Sequence, residues 1–130
     1  MPLGGRQFCC DYAEGRQSDK YFDPTIGLVR FDNASGDPIG ALFNFCCHPA
    51  VLICNEHCSS DWVGTARRRI EEALNDVPAM FVQGGCGDVH PYYMFGTPQQ
   101  AAILGCRLGQ AAIDAIPTLI PARSEPLGYA

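Results

Sequence analysis

The stretch that most constrains the fold covers residues 42–61, with the sequence LFNFCCHPAVLICNEHCSSD. Its apolar start predicts a buried strand. That strand must stop by Pro49, because proline has no N–H to donate to a sheet. His48 therefore lies in a corner where the strand leaves the sheet, and α/β folds commonly place binding and catalytic groups there. A corner histidine that is satisfied by a backbone carbonyl is the alternative, and chain position alone leaves both interpretations open.

A hairpin is predicted around the start of this stretch. Residues 25–31 alternate and are β-prone, which indicates one strand, and residues 39–46 form a second, apolar strand. The cluster at residues 33–37 contains Asn, Ser, Gly and Asp, which favour a turn. Because the second strand is apolar nearly throughout, we expect it to be central and covered on both faces.

A strand–helix–strand unit follows the hairpin. Residues 62–74 carry apolar side chains at helical spacing, and Ser60 or Asp61 is expected to cap that helix. Residues 79–83 predict a short buried strand, which a right-handed crossover would place parallel to the previous strand.

A second helix is predicted to begin at Thr97, which forms a capping box with Gln100, and to end at Pro117. Gly105 and Gly109 give this helix a thin face that would let it pack closely on the sheet. The predicted fold class is therefore α/β, a small mixed sheet with the order β-β-α-β-α and helices packed on it, as part of a larger catalytic domain.

The length of 130 residues allows one domain at most, or part of one. We expect an irregular N-terminal arm over residues 1–22 and an α/β segment over residues 23–116. Residues 117–130 contain Pro and Gly in quick succession, which is typical of a linker or a truncated end.

Charge and hydropathy exclude some partners. The net charge of -5 argues against a nucleic-acid partner, which requires a basic face. No segment approaches the roughly 20 apolar residues of a transmembrane helix. The N-terminus lacks the apolar core of a signal peptide, and the sequence fixes neither the compartment nor the oligomeric state.

Eight cysteines are a high count for this length, and mostly reduced, buried thiols are the favoured interpretation. A structural zinc module is the alternative, although the spacing matches no standard finger. Its ligands would be Cys54, His57 and Cys58, with Cys46 or Cys47.

The glycine-rich turn at residues 84–88 could bind an anion or a developing oxyanion through its backbone amides, or it could be an ordinary tight turn. Asp88 and His90 follow two residues apart. Asp88 could orient a metal-bound imidazole, or it could cap a local turn.

Four blocks occur in order along the chain: DPTIGLVRFDN, GALFNFCCHP, SSDWVG and FVQGGCGDVHP. Together they resemble the neutral/alkaline ceramidases, most closely the bacterial proteins with a ceramidase-like N-terminal catalytic domain, over about residues 23–116. The resemblance implies hydrolysis of an N-acyl amide, such as ceramide or a related lipid, with one zinc ion held by two His, a Glu and a Tyr. His48 matches one of these histidines, and the other three ligands have no counterpart in this chain.

The resemblance also implies site residues. Ser60 and Asp61 match a block near the active site, and Asp88 matches the aspartate of the Gly-Asp motif. The family serine just before the motif proline is replaced by His90, so amide hydrolysis is a firmer expectation than ceramide itself. His90 is expected to lie near His48, where it could join a metal site or act as a general acid–base.

The resulting hypothesis is an internal part of a zinc-dependent amidohydrolase. A catalytic zinc normally takes about three protein ligands, so we expect the isolated chain to be weakly active or inactive. The structural Cys/His zinc module and a truncated, non-catalytic α/β scaffold are the two alternatives.

Overall fold

A small mixed sheet with two helices on one face forms the centre of the molecule. The computed structural model describes residues 6–8, 16–17, 23–53 and 56–122. Its strands are β1 (Arg6–Phe8), β2 (Arg16–Gln17), β3 (Gly27–Asp32), β4 (Pro38–Phe45), β5 (Ala79–Gln83) and β6 (Val89–His90). Its helices are α1 (Asp61–Ala73) and α2 (Pro98–Ala115), followed by a 3-10 turn at Ile116–Thr118.

The central sheet has the order β3-β4-β5, with β3 antiparallel and β5 parallel to β4. The turn between β3 and β4 is built on Asn33, whose side-chain oxygen accepts from the backbone N–H groups of Ser35 and Asp37. Gly36 supplies the positive φ, +89°, that this turn requires. The predicted hairpin, the parallel pair and the α/β fold class are therefore confirmed.

The core lies between β4 and the helices. Alternate residues of β4, namely Ala41, Phe43 and Phe45, are buried against them because successive side chains on a strand point to opposite faces. The Trp62 ring meets Phe45 edge-on, with ring centroids 6.2 Å apart. Its centroid lies 5.4 Å from that of Phe81 on β5. This aromatic cluster fixes the start of α1 against the ends of β4 and β5.

The opposite face of the sheet is open. By the register, Val29, Leu42 and Met80 are neighbours on this face. Val29 is 47% exposed and Met80 is 65% exposed, and Phe31 and Val82 are also exposed. In the part of the chain that the structure describes, β4 is covered on one face only, so the expected burial on both faces is not found.

The two helices pack closely on each other. A Cβ atom built on Gly105 would lie 2.6 Å from Thr65 Cβ, and one on Gly109 would lie 2.8 Å from Arg69 Cβ. The thin face of α2 therefore meets α1, and the expectation that it meets the sheet is wrong. The reason is that the two helices pack side by side, so the backbone of α1 at Trp62 and Ala66 lies against these glycines.

A second, smaller sheet has the order β2-β1-β6, with both pairs antiparallel. Two of its strands lie within residues 1–22, where the sequence indicated no regular structure. The division of the chain at residues 22 and 117 stays a prediction. None of the helices in the described residues is long and apolar enough to cross a membrane.

Candidate functional site

The main chain of His48 is held on both sides of the corner that follows β4. Its N–H donates to the carbonyl of Val89 over 2.9 Å. Its carbonyl accepts from the indole Nε1–H of Trp62 over 3.1 Å. The described contact of the imidazole Nδ1 is with the thiol of Cys86 rather than with a backbone carbonyl. The corner is therefore held through the main chain of His48, and the described contacts of the ring are with Cys86 and His90.

His90 brings a second imidazole to the same place. The rings of His48 and His90 stack with centroids 4.8 Å apart and an interplanar angle of 26°. His90 is set by β6, which pairs with β1, and by the neighbouring Val89 carbonyl that accepts from His48. The expected proximity of the two histidines is found.

Cys86 completes a cluster that the motifs did not single out. Its Sγ lies 3.5 Å from Nδ1 of His48, a hydrogen-bonding distance for sulfur, and its side chain is half-buried. Cys86 is the one side chain with soft-ligand character inside the glycine turn. The position of that turn directly after β5, which is more exposed than the predicted buried strand, was the signal that could have revealed it.

The amide side chain of Gln83 joins the two turns that carry these groups. Its Nε2 donates toward the carbonyls of Phe45 and Cys47, at 3.3 and 3.2 Å. The N–H of Gly84 also donates to Phe45, over 3.2 Å. A Cβ on Gly84 would lie 2.5 Å from Cys46 Sγ, so only glycine lets the second turn approach the first this closely.

Burial and neighbouring groups shift two of the titratable side chains. Burial lowers the pKa of His90, and the nearby His48 lowers it further, while the Asp88 carboxylate acts in the opposite direction. Burial and the neighbouring Cys46 raise the pKa of the Cys86 thiol. The site therefore favours a neutral His90 and a protonated Cys86. Asp88 is exposed, and the described effect of its charge is on the pKa of His90.

Ser60 and Asp61 lie at the start of α1. Both carboxylate oxygens of Asp61 accept backbone N–H groups, one from Leu52 and one from Trp62, each over 2.7 Å. Asp61 has a positive φ of 53°, and its own N–H donates to Ser59 Oγ over 3.0 Å. Of the two residues predicted to cap α1, Ser60 makes no side-chain capping hydrogen bond, whereas Asp61 accepts the exposed N–H of Trp62. The described contacts of Asp61 connect the loop after His48 to the helix.

No metal site is found among the described residues. Within residues 23–53 and 56–122, no three His, Cys, Asp or Glu side chains converge on a point that could hold a metal ion. The imidazole and thiol groups around His48 have the right donor chemistry for zinc but are too few to complete a site. His57 and Cys58 of the alternative module are exposed, and Cys54 lies outside the described residues.

Comparisons with known proteins give matches in structure only. No protein-family model matches the chain, and no curated protein matches it. A solved structure described as ceramidase complexed with C2 is 22% identical, with a TM-score of 0.62, over 71% of this chain. The neutral ceramidase from Pseudomonas aeruginosa is 23% identical, with a TM-score of 0.59, over the same share. The matched region spans 16% of the length of each of these structures. This chain has a ceramidase-like fold.

Proposed function

We propose that this chain is part of a zinc-dependent hydrolase that cleaves the amide bond of an N-acylated lipid or a related amide. The observation that carries the proposal is the pairing of His48 with His90, at 4.8 Å between ring centroids, within a ceramidase-like fold. Both rings lie beyond the ends of β4 and β5, where α/β folds usually bind their substrates.

His48 is the residue that we assign to zinc. Its main chain is fixed by Val89 and Trp62, so little conformational entropy is lost when the ring binds a metal. Zinc would polarise the amide carbonyl and lower the pKa of a bound water. The remaining ligands would come from polypeptide beyond these residues.

His90 is the residue that we assign to proton transfer. Its ring is stacked on His48 and therefore lies within a few ångströms of any group that His48 binds. An imidazole in this position can take a proton from the attacking water and return it to the leaving amine. Asp88, whose charge acts on His90, would hold the ring in its protonated form while that transfer proceeds.

The proposal assigns Asp61 and Ser60 to positioning rather than to proton transfer. The Asp61 carboxylate already accepts two backbone N–H groups, so it holds the loop after His48 against α1. Moving that loop would move the imidazole with it.

The test is an amidase assay on the protein encoded by the extended reading frame, with a fluorescent short-chain N-acyl sphingosine as substrate. We expect activity that is lost on chelation and restored by zinc. His48→Ala should abolish it, and His90→Ala should lower kcat by roughly 10²- to 10⁴-fold, the usual contribution of general acid–base catalysis.

Cys106→Ser is the matched control, because Cys106 is exposed on α2 and should leave activity unchanged. Activity that survives His48→Ala would overturn the assignment of zinc to this residue. An inactive extended protein would favour a non-catalytic scaffold. Robust zinc-dependent activity from the 130-residue chain would contradict the proposal that the other ligands lie outside it.

A further inference from the structure

We propose that the two loops beside the imidazole pair form a docking surface for a zwitterionic lipid bilayer. The inference rests on the proposed function in one respect, because an N-acylated lipid would reach the site from such a bilayer. It goes beyond that function because it assigns binding to side chains that take no part in amide cleavage. The docking loops are residues 49–53, which follow His48, and residues 91–96, which follow His90.

Exposed apolar side chains occur on both docking loops. Ile53 on the first loop is exposed, as are Tyr92 and Phe95 on the second, and Phe95 is 58% exposed. The backbone joins the loops, because the N–H of Gly96 donates to the carbonyl of Val51 over 2.7 Å. The three exposed side chains are therefore carried by loops that contact each other beside the histidine pair.

Buried residues anchor the second docking loop. Pro91 and Met94 are buried, and each immediately precedes an exposed aromatic residue, Tyr92 and Phe95 respectively. At the end of the loop, Thr97 caps α2 and forms the capping box of that helix. The exposed rings are therefore presented by a loop whose backbone is held at several points.

The backbone of Phe95 is strained. Its φ is +58°, in the left-handed region that is unfavourable for a bulky side chain. Backbone strain of this kind is concentrated at functional sites. The ring gains little hydrophobic free energy while it is exposed to water, and it would gain much more on entering an apolar medium. Strain and exposure together therefore indicate a binding role for this ring.

The chemistry of the docking loops fits a lipid surface without net charge. The ring of Tyr92 packs edge-on against Tyr93, with centroids 5.0 Å apart. Tyrosine is enriched where a bilayer meets water, because its ring is apolar and its hydroxyl is polar. Residues 48–58 and 88–97 contain no Lys or Arg, and they include Glu56. Anionic headgroups attract basic residues, so this surface fits zwitterionic headgroups better.

The first experiment places a fluorescent reporter on the second docking loop. Phe95→Trp is mixed with vesicles of phosphatidylcholine whose acyl chains carry bromine, which quenches tryptophan emission on contact. The unaltered chain gives the background from the buried Trp62. We expect quenching of the added emission in Phe95→Trp. Ile103→Trp is the matched control, because Ile103 is exposed on α2, and its emission should not be quenched.

The second experiment measures partition into sucrose-loaded phosphatidylcholine vesicles by centrifugation. Phe95→Ser should weaken partition about tenfold, because the variant loses the burial of one aromatic ring. Phe95→Leu should retain most of the binding, because it keeps an apolar side chain. Circular dichroism checks that each variant is folded. Adding anionic phosphatidylserine to the vesicles should not strengthen binding.

Several results would overturn the inference. They are an unquenched Phe95→Trp, unchanged partition of Phe95→Ser, and binding that requires phosphatidylserine. Met80→Trp reports on the open face of the central sheet, and quenching equal to that of Phe95→Trp would remove the assignment to the loops. A larger monomer fraction of Phe95→Ser without vesicles, measured by sedimentation velocity, would assign the loops to a contact between protein copies instead.

The result is separable from the amidase assay, because phosphatidylcholine contains no amide bond and binding is measured without hydrolysis. An active extended protein whose loops do not bind vesicles overturns only the docking surface. An inactive extended protein whose loops do bind overturns only the proposed function.

Discussion

Among single residues, Asp61 combines a strained backbone with two charge-assisted hydrogen bonds. A left-handed conformation is unfavourable for a residue with a Cβ, although Asp tolerates it better than most. Its carboxylate offsets that strain by accepting from Leu52 and Trp62. The residue therefore fixes the entry of α1 and, through the loop, the position of His48.

Replacing Asp61 by Ala should lower the free energy of unfolding by about 2 to 3 kcal/mol, because hydrogen bonds to a charged group contribute about 1.5 to 3 kcal/mol. Asp61→Asn keeps one acceptor oxygen and should cost roughly half as much. Urea unfolding can be followed through the fluorescence of Trp62, the single tryptophan of the chain.

Asp76 provides a matched control for this prediction. It also has a positive φ, 61°, but its side chain is exposed at the end of α1. Asp76→Ala should therefore report the backbone strain without the carboxylate bonds, at a cost of about 1 kcal/mol. Equal losses at the two positions would mean that the Asp61 carboxylate adds nothing to stability.

At the scale of elements, the contact between α1 and α2 depends on two glycines. A Cβ on Gly105 would lie 2.6 Å from Thr65 Cβ, and backbone atoms of α1 are also close to it. Backbone cannot move aside as a flexible side chain can, so the helices would have to separate. This contact holds the two helices together.

Gly105→Ala should therefore destabilise the chain, even though alanine favours a helix over glycine by about 1 kcal/mol. Overpacking costs about 1 to 3 kcal/mol, and the close backbone contacts favour the upper part of that range. Gly85→Ala is the matched control, because nothing lies within 4 Å of its added Cβ. Urea midpoints of the two variants give the comparison, and a stabilised Gly105→Ala would show that the helices are not in close contact.

Much of the fold was predictable at this scale. The strand at Ala79–Gln83 and the capping box at Thr97 follow from local signals, namely an apolar run broken by glycines and side chains that bond to nearby amides. The sequence did not predict which element the glycines of α2 contact. Helical spacing shows that they share one face of the helix, but it does not show what packs against that face. The choice of Asp61 over Ser60 at the start of α1 was not predictable for a similar reason, since the Asp61 carboxylate also accepts the N–H of Leu52, nine residues away.

The site was predictable in part. His90 was expected to lie near His48, and the two rings do meet, beyond the ends of the parallel strands β4 and β5. The contact between the Cys86 thiol and the His48 imidazole was not predictable, because the two residues are 38 positions apart in the sequence. The roles of Asp88, His90, Ser60 and Asp61 in catalysis, and of zinc at His48, stay predictions.

At the scale of the whole molecule, the sheet is covered on only one side within the described residues. Sheets with parallel strands are normally covered on both faces, and here β4 and β5 are a parallel pair. The open face carries Val29, Phe31, Met80 and Val82, all exposed. A contiguous apolar surface of this kind favours association in water.

We therefore expect the 130-residue chain to self-associate through this face. Met80→Lys should increase the monomer fraction with little change in stability, because Met80 is 65% exposed and loses little burial. Sedimentation velocity over a range of concentrations measures the association, and urea unfolding measures the stability. Ile103→Lys is the matched control, since Ile103 is 46% exposed on α2 rather than on the sheet. An equal effect of both variants would mean that added charge, and not the open face of the sheet, governs association.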